Sequence, residues 1–213
     1  MVQAMRSRRS ARRLRRTKVS DVLGFLFRLL LGLAVAMSVG FGASYYALTD
    51  GRLFAAVRIG PWAAWPDVGQ PLPNPYTRAY LARSGQMQLG YAEGIRFMAQ
   101  TDDSGAPLLA NCTYRVAGFV PGASFWTLEA VDLEGVNIAA SPDLMVLHSE
   151  RIARTGDGAM KINIGPRLAP GNWLPIAGVG EFSIALTFYD ALVFSGGNTS
   201  IEQMPSIQME DCA

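Results

Sequence analysis

The sequence predicts a mainly β protein in which an N-terminal single transmembrane helix is followed by a β-sandwich, jelly-roll-like, with one short helix. Three observations support this class. A long apolar run occupies residues 22–46, several later segments alternate apolar and polar residues, and turns containing Gly or Pro separate those segments. Alternation with period two is typical of half-buried strands, and short strands at regular spacing favour a sandwich.

The apolar run predicts a transmembrane helix over residues 22–48. Between Leu29 and Leu48 only Tyr45 and Tyr46 carry ionisable side chains. About twenty such residues form a helix of about 30 Å, which is the thickness of the hydrocarbon core of a membrane. The run also lacks the polar face that a helix on a soluble protein needs. Arg28 is close enough to the N-terminal end to reach the lipid headgroups.

Residues 1–21 form a basic tail in front of this helix, and residues 6–18 contain seven Arg and one Lys without an acid. Because Lys and Arg stay on the cytoplasmic side, we expect a bacterial inner-membrane protein with a cytoplasmic tail and residues 49–213 in the periplasm. The tail would contact anionic lipid, and an arm for nucleic acid is the alternative. The chain after Thr49 has ten basic and sixteen acidic residues, a net charge of −6. This acidic part argues against nucleic acid as its partner.

The same order of residues also occurs in a cleavable export signal. Cleavage needs small residues at positions −3 and −1, but Ala43 and Ala47 have Phe41 and Tyr45 at position −3. We therefore expect an uncleaved anchor.

Small residues recur every four positions along the predicted span, at Gly32, Ala36, Gly40 and Ser44. This spacing puts them on one helix face, where they would allow a second helix to approach closely. A dimer through this face is one interpretation. The other is that small residues are simply common in membrane helices.

The outer part predicts one domain with a substantial core. Residues 59–76 are rich in Pro, Gly and Trp and predict an irregular segment packed on the domain. A helix follows, with Asn74 as N-cap, Pro75 in the first turn and Gly85 after its end. The segment EGIRFMAQTDDSGAPL predicts a strand, a turn at residues 102–105 and a return, and further strands are predicted in CTYRVAG, SFWTLEAVDLEGVNIA, MKINIG and EFSIALTFYD. Alternate residues of the last segment share one face: Phe182, Ile184, Leu186 and Phe188.

Cys112 and Cys212 are the two cysteines of the chain, and both follow the predicted span. In an oxidising compartment an isolated pair predicts a disulfide, which would join the C-terminal segment to an earlier strand. A metal-binding or catalytic cysteine is the alternative, but no CxxC or Cys-His spacing accompanies either residue.

Several segments resemble the bacterial domain-of-unknown-function 1214 family, in its small membrane-anchored alpha-proteobacterial form. They are VRIGPWAAWP, NPYTRAYLARSG, FWTLEAVDLEG and IGPRLAPGNWLP followed by FSIALTFYD. The resemblance implies a β-sandwich and transfers no catalytic residues. It also implies a partner of the 1254 family, since related longer proteins join the two kinds of domain.

No motif predicts a catalytic, cofactor or metal site. The segment SGGNTS lacks the Lys and spacing of a phosphate loop, and no G-x-S-x-G accompanies the single histidine, His148. Two or three of the carboxylates Glu129, Asp132 and Glu134 could converge for glycoside hydrolysis, but DLEG also fits an ordinary turn. Three arginines are candidates for a shared anion site: Arg96, Arg115 and Arg167.

Trp62, Trp65 and Trp173 are candidate contacts for a ligand or partner, with core packing as the alternative, whereas Trp126 is predicted to lie in the core. We therefore expect a single-pass membrane protein of unknown biochemical activity, more a binding protein than an enzyme, whose periplasmic domain binds a partner protein or envelope component. The alternative is an enzyme that acts on envelope carbohydrate through paired carboxylates.

Overall fold

The structure, a computed structural model, describes residues 2–49, 57–84, 89–90, 93–190 and 204–212. The chain divides into two compact units, residues 1–50 and residues 51–213. The first unit contains one helix, α1, which runs from Val2 to Thr49. Its segment Val22–Tyr46, 25 residues long, is apolar and long enough to span a membrane. Large apolar side chains point outward along this segment, as a lipid-facing helix requires.

The second unit is mainly β with one short helix, α2. The strands are β1 (Val57–Ile59), β2 (Trp62–Ala64), β3 (Gly94–Ala99), β4 (Cys112–Gly118), β5 (Phe125–Val131), β6 (Leu147–His148), β7 (Met160–Gly165), β8 (Asn172–Pro175), β9 (Ser183–Tyr189) and β10 (Ser206–Cys212); α2 spans Pro75–Ser84. The predicted two-part, mainly β class is therefore confirmed.

The strands form two sheets, one with the order β1-β2-β3-β9-β5-β6 and one with the order β10-β4-β7-β8. All pairs are antiparallel except β7 and β8, which run parallel. Inward side chains of both sheets belong to one apolar cluster, so the two sheets enclose a common core. Phe182, which precedes β9, and Ile184, Leu186 and Phe188 on β9 all belong to the core cluster, whereas the residues between them do not, as the predicted face requires.

Three hairpin loops share one hydrogen-bond pattern. They are Asp102–Gly105, Asp132–Gly135 and Thr155–Gly158, and in each the final glycine donates to the carbonyl of the first residue. All three glycines have a φ of 86°, which L side chains rarely adopt. This is the three-residue loop with a left-handed glycine that joins antiparallel segments. The predicted turns DDSG and DLEG are two of its copies.

Helix α2 begins as its sequence predicts. The side-chain oxygen of Asn74 accepts a hydrogen bond from the backbone amide of Thr77 at 2.9 Å, which is the bond of an N-cap. The Asp67 carboxylate accepts bonds from the Asn74 backbone amide at 3.1 Å and from the Thr77 hydroxyl at 2.9 Å. This carboxylate therefore fixes the start of the helix. Gly85, the predicted C-terminal residue, lies outside the described residues.

The irregular segment predicted at residues 59–76 is wrong in its first part. Residues 57–64 form the β1–β2 hairpin, with Gly60 in its turn at a φ of 57°. Trp62 is buried there, and its indole N–H donates to the Pro205 carbonyl at 2.7 Å. Trp62 thus lies in the core on a paired strand, and not in an irregular surface segment. Residues 65–74 do follow the irregular prediction, apart from one 3-10 turn at Pro66–Gly69.

Candidate functional site

The three predicted carboxylates serve different local structures. Glu129 pairs with Arg96 on the six-stranded sheet, with 2.9 Å between Oε1 and the guanidinium nitrogen. Asp132 Oδ1 accepts the backbone amides of Glu134 and Val136 at 3.0 and 2.8 Å, inside its own hairpin loop. Glu134 is exposed on that loop. Local pairing and turn formation account for the positions of Glu129 and Asp132.

The three arginines do not share one partner. Arg96 lies on the six-stranded sheet, whereas Arg115 on the other sheet pairs with Glu210 at 2.6 Å. Arg167 pairs with Asp211 at 3.0 Å. Each of the three guanidinium groups pairs with a different carboxylate on another segment. These ion pairs favour a role in holding segments of the sheets together over a common anion site.

The candidate tryptophans differ in exposure. Trp62 is fully buried, as is the predicted core residue Trp126, whereas Trp65 and Trp173 are half-buried. Trp173 lies on β8, and its indole N–H donates to the Gly165 carbonyl at 3.2 Å. Contact of Trp62, Trp65 or Trp173 with a ligand or partner stays a prediction.

The predicted cysteine pair is present. Cys112 on β4 stands opposite Cys212 on β10 in the register of the two strands, and the two form a disulfide. Among the described residues, no group of three or more His, Cys, Asp or Glu side chains could hold a metal ion. His148 packs against Phe125, with 5.4 Å between ring centroids.

A surface cleft of about 410 Å³ lies beside the β1–β2 turn. This volume falls in the range of about 300–1,000 Å³ that is usual for ligand sites. Its walls come from four segments distant in sequence: residues 59–62, Asp103, residues 117–119 and residues 204–206. Polar and apolar groups contribute similarly to the lining, and the apolar side chains include Ile59, Phe119 and Met204.

Asp103 supplies the charge of this cleft. Its Oδ2 accepts the Ile207 backbone amide at 3.0 Å, and its own amide donates to the Ile207 carbonyl at 2.9 Å. These two bonds hold the hairpin loop against β10. Loss of water around the carboxylate raises the pKa of Asp103, the Ile207 amide lowers it, and nearby Asp102 raises it again. Asp103 is itself exposed, so water still reaches part of its carboxylate.

A second feature is a set of exposed apolar side chains on loops after β5 and β8. Leu133, Val136, Met145 and Val179 have exposed fractions of 59%, 62%, 46% and 96%. The two loops are joined by a bridge between Ala139 and Ile176 and by a bond from the Ala177 amide to the Ile138 carbonyl at 2.8 Å. We name these four apolar residues the loop-end patch.

Hydrogen bonds connect the segments that carry the loop-end patch. The Asn137 side-chain amide donates to the Met145 carbonyl at 3.0 Å, which holds Met145 beside the same loop. Met145 is therefore tied to the loop that carries Leu133 and Val136.

Sequence reasoning missed both the cleft and the loop-end patch. The signal for the patch was present, since Leu133 lies inside a predicted turn and Val179 lies between two glycines. Apolar residues at turn positions cannot all face the core. The cleft had no local signal, because its four segments meet only through the fold.

The predicted packing face of the helix lies within α1. Gly32 and Gly40 have no atom within 4 Å of the place that a Cβ would occupy. Ala36 and Ser44 are exposed on the same helix. A dimer through these residues stays a prediction.

Residues 93–193 match the family model DUF1214, whose description is a protein of unknown function. The DUF1214 match supports the resemblance found in the sequence, and it includes every strand from β3 to β9. Helix α1, the β1–β2 hairpin and β10 lie outside it. No curated protein matches the chain.

Two solved structures are similar to this chain. The VPA0106 protein from Vibrio parahaemolyticus is 18% identical, with a TM-score of 0.52, over 66% of this chain and 36% of its own. An uncharacterized protein from Burkholderia cenocepacia is 15% identical, with a TM-score of 0.43, over 80% of this chain and 40% of its own. The chain thus spans less than half the length of either protein. The first likeness shows a shared fold.

Proposed function

We propose that this protein is a single-pass inner-membrane protein with a cytoplasmic tail, whose β domain lies in the periplasm and binds a partner protein. The order of the basic tail and the apolar segment supports this orientation, since Lys and Arg remain in the cytoplasm. The disulfide supports an oxidising compartment for the domain.

The loop-end patch is the observation that carries partner binding. We treat the four exposed side chains on these joined loops as one surface, and exposed apolar surfaces on a folded domain mark protein interfaces. The two loops are held by backbone and side-chain hydrogen bonds, so the patch is presented with little entropy left to lose. A rigid apolar end is suited to a second protein surface.

Charge around the loop-end patch indicates what kind of surface that is. Glu134, Asp143 and Glu181 are exposed on the same loops. The sequence has no Lys or Arg between Arg115 and Arg151, nor after Arg167. An apolar centre with an acidic rim fits a partner with an apolar centre and a basic rim.

The partner class implied by the family resemblance is a 1254-family protein. The shared fold forms 36% of the longer Vibrio parahaemolyticus protein. The rest of that longer protein has no counterpart in the aligned part of this chain. This supports a partner that is encoded as a separate chain.

Orientation is tested with reporter fusions. Alkaline phosphatase fused after Ala213 is expected to be active, because it needs the oxidising periplasm. The same enzyme fused after Lys18 is the control and is expected to be inactive. Green fluorescence from a protein fused after Ala213 would refute the proposed orientation.

Partner binding is tested by photo-crosslinking in the native membrane. The full-length chain carries a photoreactive residue at Val179, or at Leu168 as a control with 83% exposure on another loop. We expect one adduct of defined mass from Val179 that mass spectrometry assigns to a different protein, and none from Leu168. Leu133→Ser should reduce this adduct, and Leu72→Ser should not. An adduct of twice the chain mass, or one with lipid, contradicts the proposal.

A further inference from the structure

We infer that the cleft beside the β1–β2 turn binds a lysine side chain, with the ammonium group on Asp103 and the alkyl stem on the apolar walls. The inference rests on the proposed partner protein, which would supply the lysine.

The cleft has the two parts that a lysine side chain needs. Lysine buries its four-carbon stem along apolar surface while its ammonium group takes a polar position. Ile59, Met204 and Phe119 line the walls, and Phe119 has an exposed fraction of 49%. Among the described residues that line the cleft, Asp103 is the charged one. Its carboxylate therefore lies next to apolar side chains on a surface of mixed polarity.

Asp103 has a structural bond and remaining acceptor capacity. Its Oδ2 accepts the Ile207 amide at 3.0 Å, and no Lys or Arg pairs with its carboxylate within the described part of the chain. An ionised carboxylate has about four acceptor sites, so further positions remain for a donor. Partial desolvation raises the pKa of Asp103 although the residue is exposed, and an ammonium group in the cleft would favour its ionised form.

Charge selects the class of ligand. A carboxylate in an apolar cleft repels anions and gives a neutral ligand no ionic contact. The net charge of −6 after Thr49 also attracts a basic partner over a longer range. Lysine fits better than a purely apolar side chain, because the latter would leave Asp103 desolvated and uncompensated.

The test uses n-butylammonium, which copies the lysine side chain, and the full-length protein in detergent micelles. The indole N–H of Trp62 lies under the cleft and donates to Pro205, so its NMR signal reports occupancy. We expect saturable shifts of this signal with n-butylammonium and no matching shifts with n-butanol. Asp103→Asn should weaken binding by roughly fivefold, the usual size of a partly exposed ion pair. Glu150→Gln, an exposed acid away from the cleft, should leave binding unchanged.

Asparagine can still accept the Ile207 amide, so Asp103→Asn keeps the structural bond. Equal shifts with amine and alcohol, or equal amine binding by Asp103→Asn, would overturn the inference. In the crosslinking experiment, Asp103→Asn should reduce the Val179 adduct by about the same factor. An unchanged adduct together with lost amine binding would overturn a lysine of the partner as the occupant. If Leu133→Ser loses the crosslinked adduct but still binds n-butylammonium, the loop-end patch and the cleft act as separate sites.

Discussion

Two aspartates in identical hairpin loops differ in burial, and this difference sets their expected contributions to stability. Asp102 has an exposed fraction of 6% and accepts bonds from the amides of Ser104 and Ala106 at 2.9 and 3.0 Å. Asp132 makes the equivalent bonds but is itself only half-buried. Water can replace the lost acceptor at Asp132 but not at Asp102.

We therefore expect Asp102→Ala to lower the free energy of unfolding by about 1–3 kcal/mol, and Asp132→Ala by less than about 1 kcal/mol. Urea unfolding of the full-length protein in detergent, followed by tryptophan fluorescence, measures both. Equal losses in the free energy of unfolding would mean that burial of the aspartate does not determine its contribution. The matched pair also controls for the shared turn conformation.

Protonation of Asp102 should act in the same direction as its removal. The hydrogen bond from the Ser104 hydroxyl lowers the pKa of Asp102 most, burial opposes it, and backbone amides lower the pKa further. A pKa below that of the unfolded chain means that this stabilisation is present above about pH 4 and is lost as the pH falls further, through the folded pKa. Asp102→Asn should flatten this part of the stability profile, measured by urea midpoints at several pH values. If stability still falls equally steeply with decreasing pH in Asp102→Asn, the loss at acid pH does not come from Asp102.

Gly94 is required by close packing. A Cβ at this position would clash with the Phe188 carbonyl oxygen and lie 2.7 Å from the Leu89 side chain. Gly94→Ala is expected to destabilise the domain by about 1–3 kcal/mol, the usual cost of overpacking. Thermal melting of the full-length protein measures this loss. Gly122 has no atom within 4 Å of its Cβ position, so Gly122→Ala should leave the melting temperature unchanged. Equal melting temperatures for the two variants would contradict this account.

At the scale of elements, sequence pattern predicted the strands whose side chains alternate between core and solvent. Strands β4, β5 and β7 follow this rule. It failed for β8, because Asn172–Pro175 is only four residues long and its last two residues are both buried, which leaves no alternation to detect. It also failed for β10, an edge strand in which Ile207 is buried and Gln208–Cys212 are exposed.

Strand β10 should depend on the disulfide more than on its own side chains. It pairs only with β4 and carries mostly exposed polar residues, whereas Cys212 is bonded to Cys112 across 100 residues of chain. In the chain-entropy model a loop of this size contributes up to about 4–5 kcal/mol. We expect Cys112→Ala with Cys212→Ala to lower the melting temperature and to make the C-terminal strand sensitive to protease. Arg167→Gln, which removes only an exposed ion pair at the same strand, should have little effect. Unchanged melting on reduction would contradict this role.

At the scale of the molecule, the sequence was most informative where one continuous segment carries the signal. The apolar segment of α1, the N-cap of α2 and the cysteine pair each depend on few residues and on local chemistry. The cleft and the loop-end patch depend on segments brought together by the two sheets. Asp103 illustrates the difference, since it is a turn residue in the sequence and becomes the charge of a cleft only through its bonds to β10.

Assembly in the membrane gives the last prediction. Gly32, Ala36, Gly40 and Ser44 lie on one ridge of α1, and a bulky residue there would keep two helices apart. Gly40→Leu is expected to abolish most energy transfer between differently labelled copies in liposomes. Gly42→Leu is the matched control, because residue 42 lies about 200° around the helix from residue 40. Both glycines have open space at the Cβ position, so neither leucine disturbs α1 itself. Equal energy transfer in the two variants would assign the small residues to the general composition of membrane helices and leave the helix without a packing face.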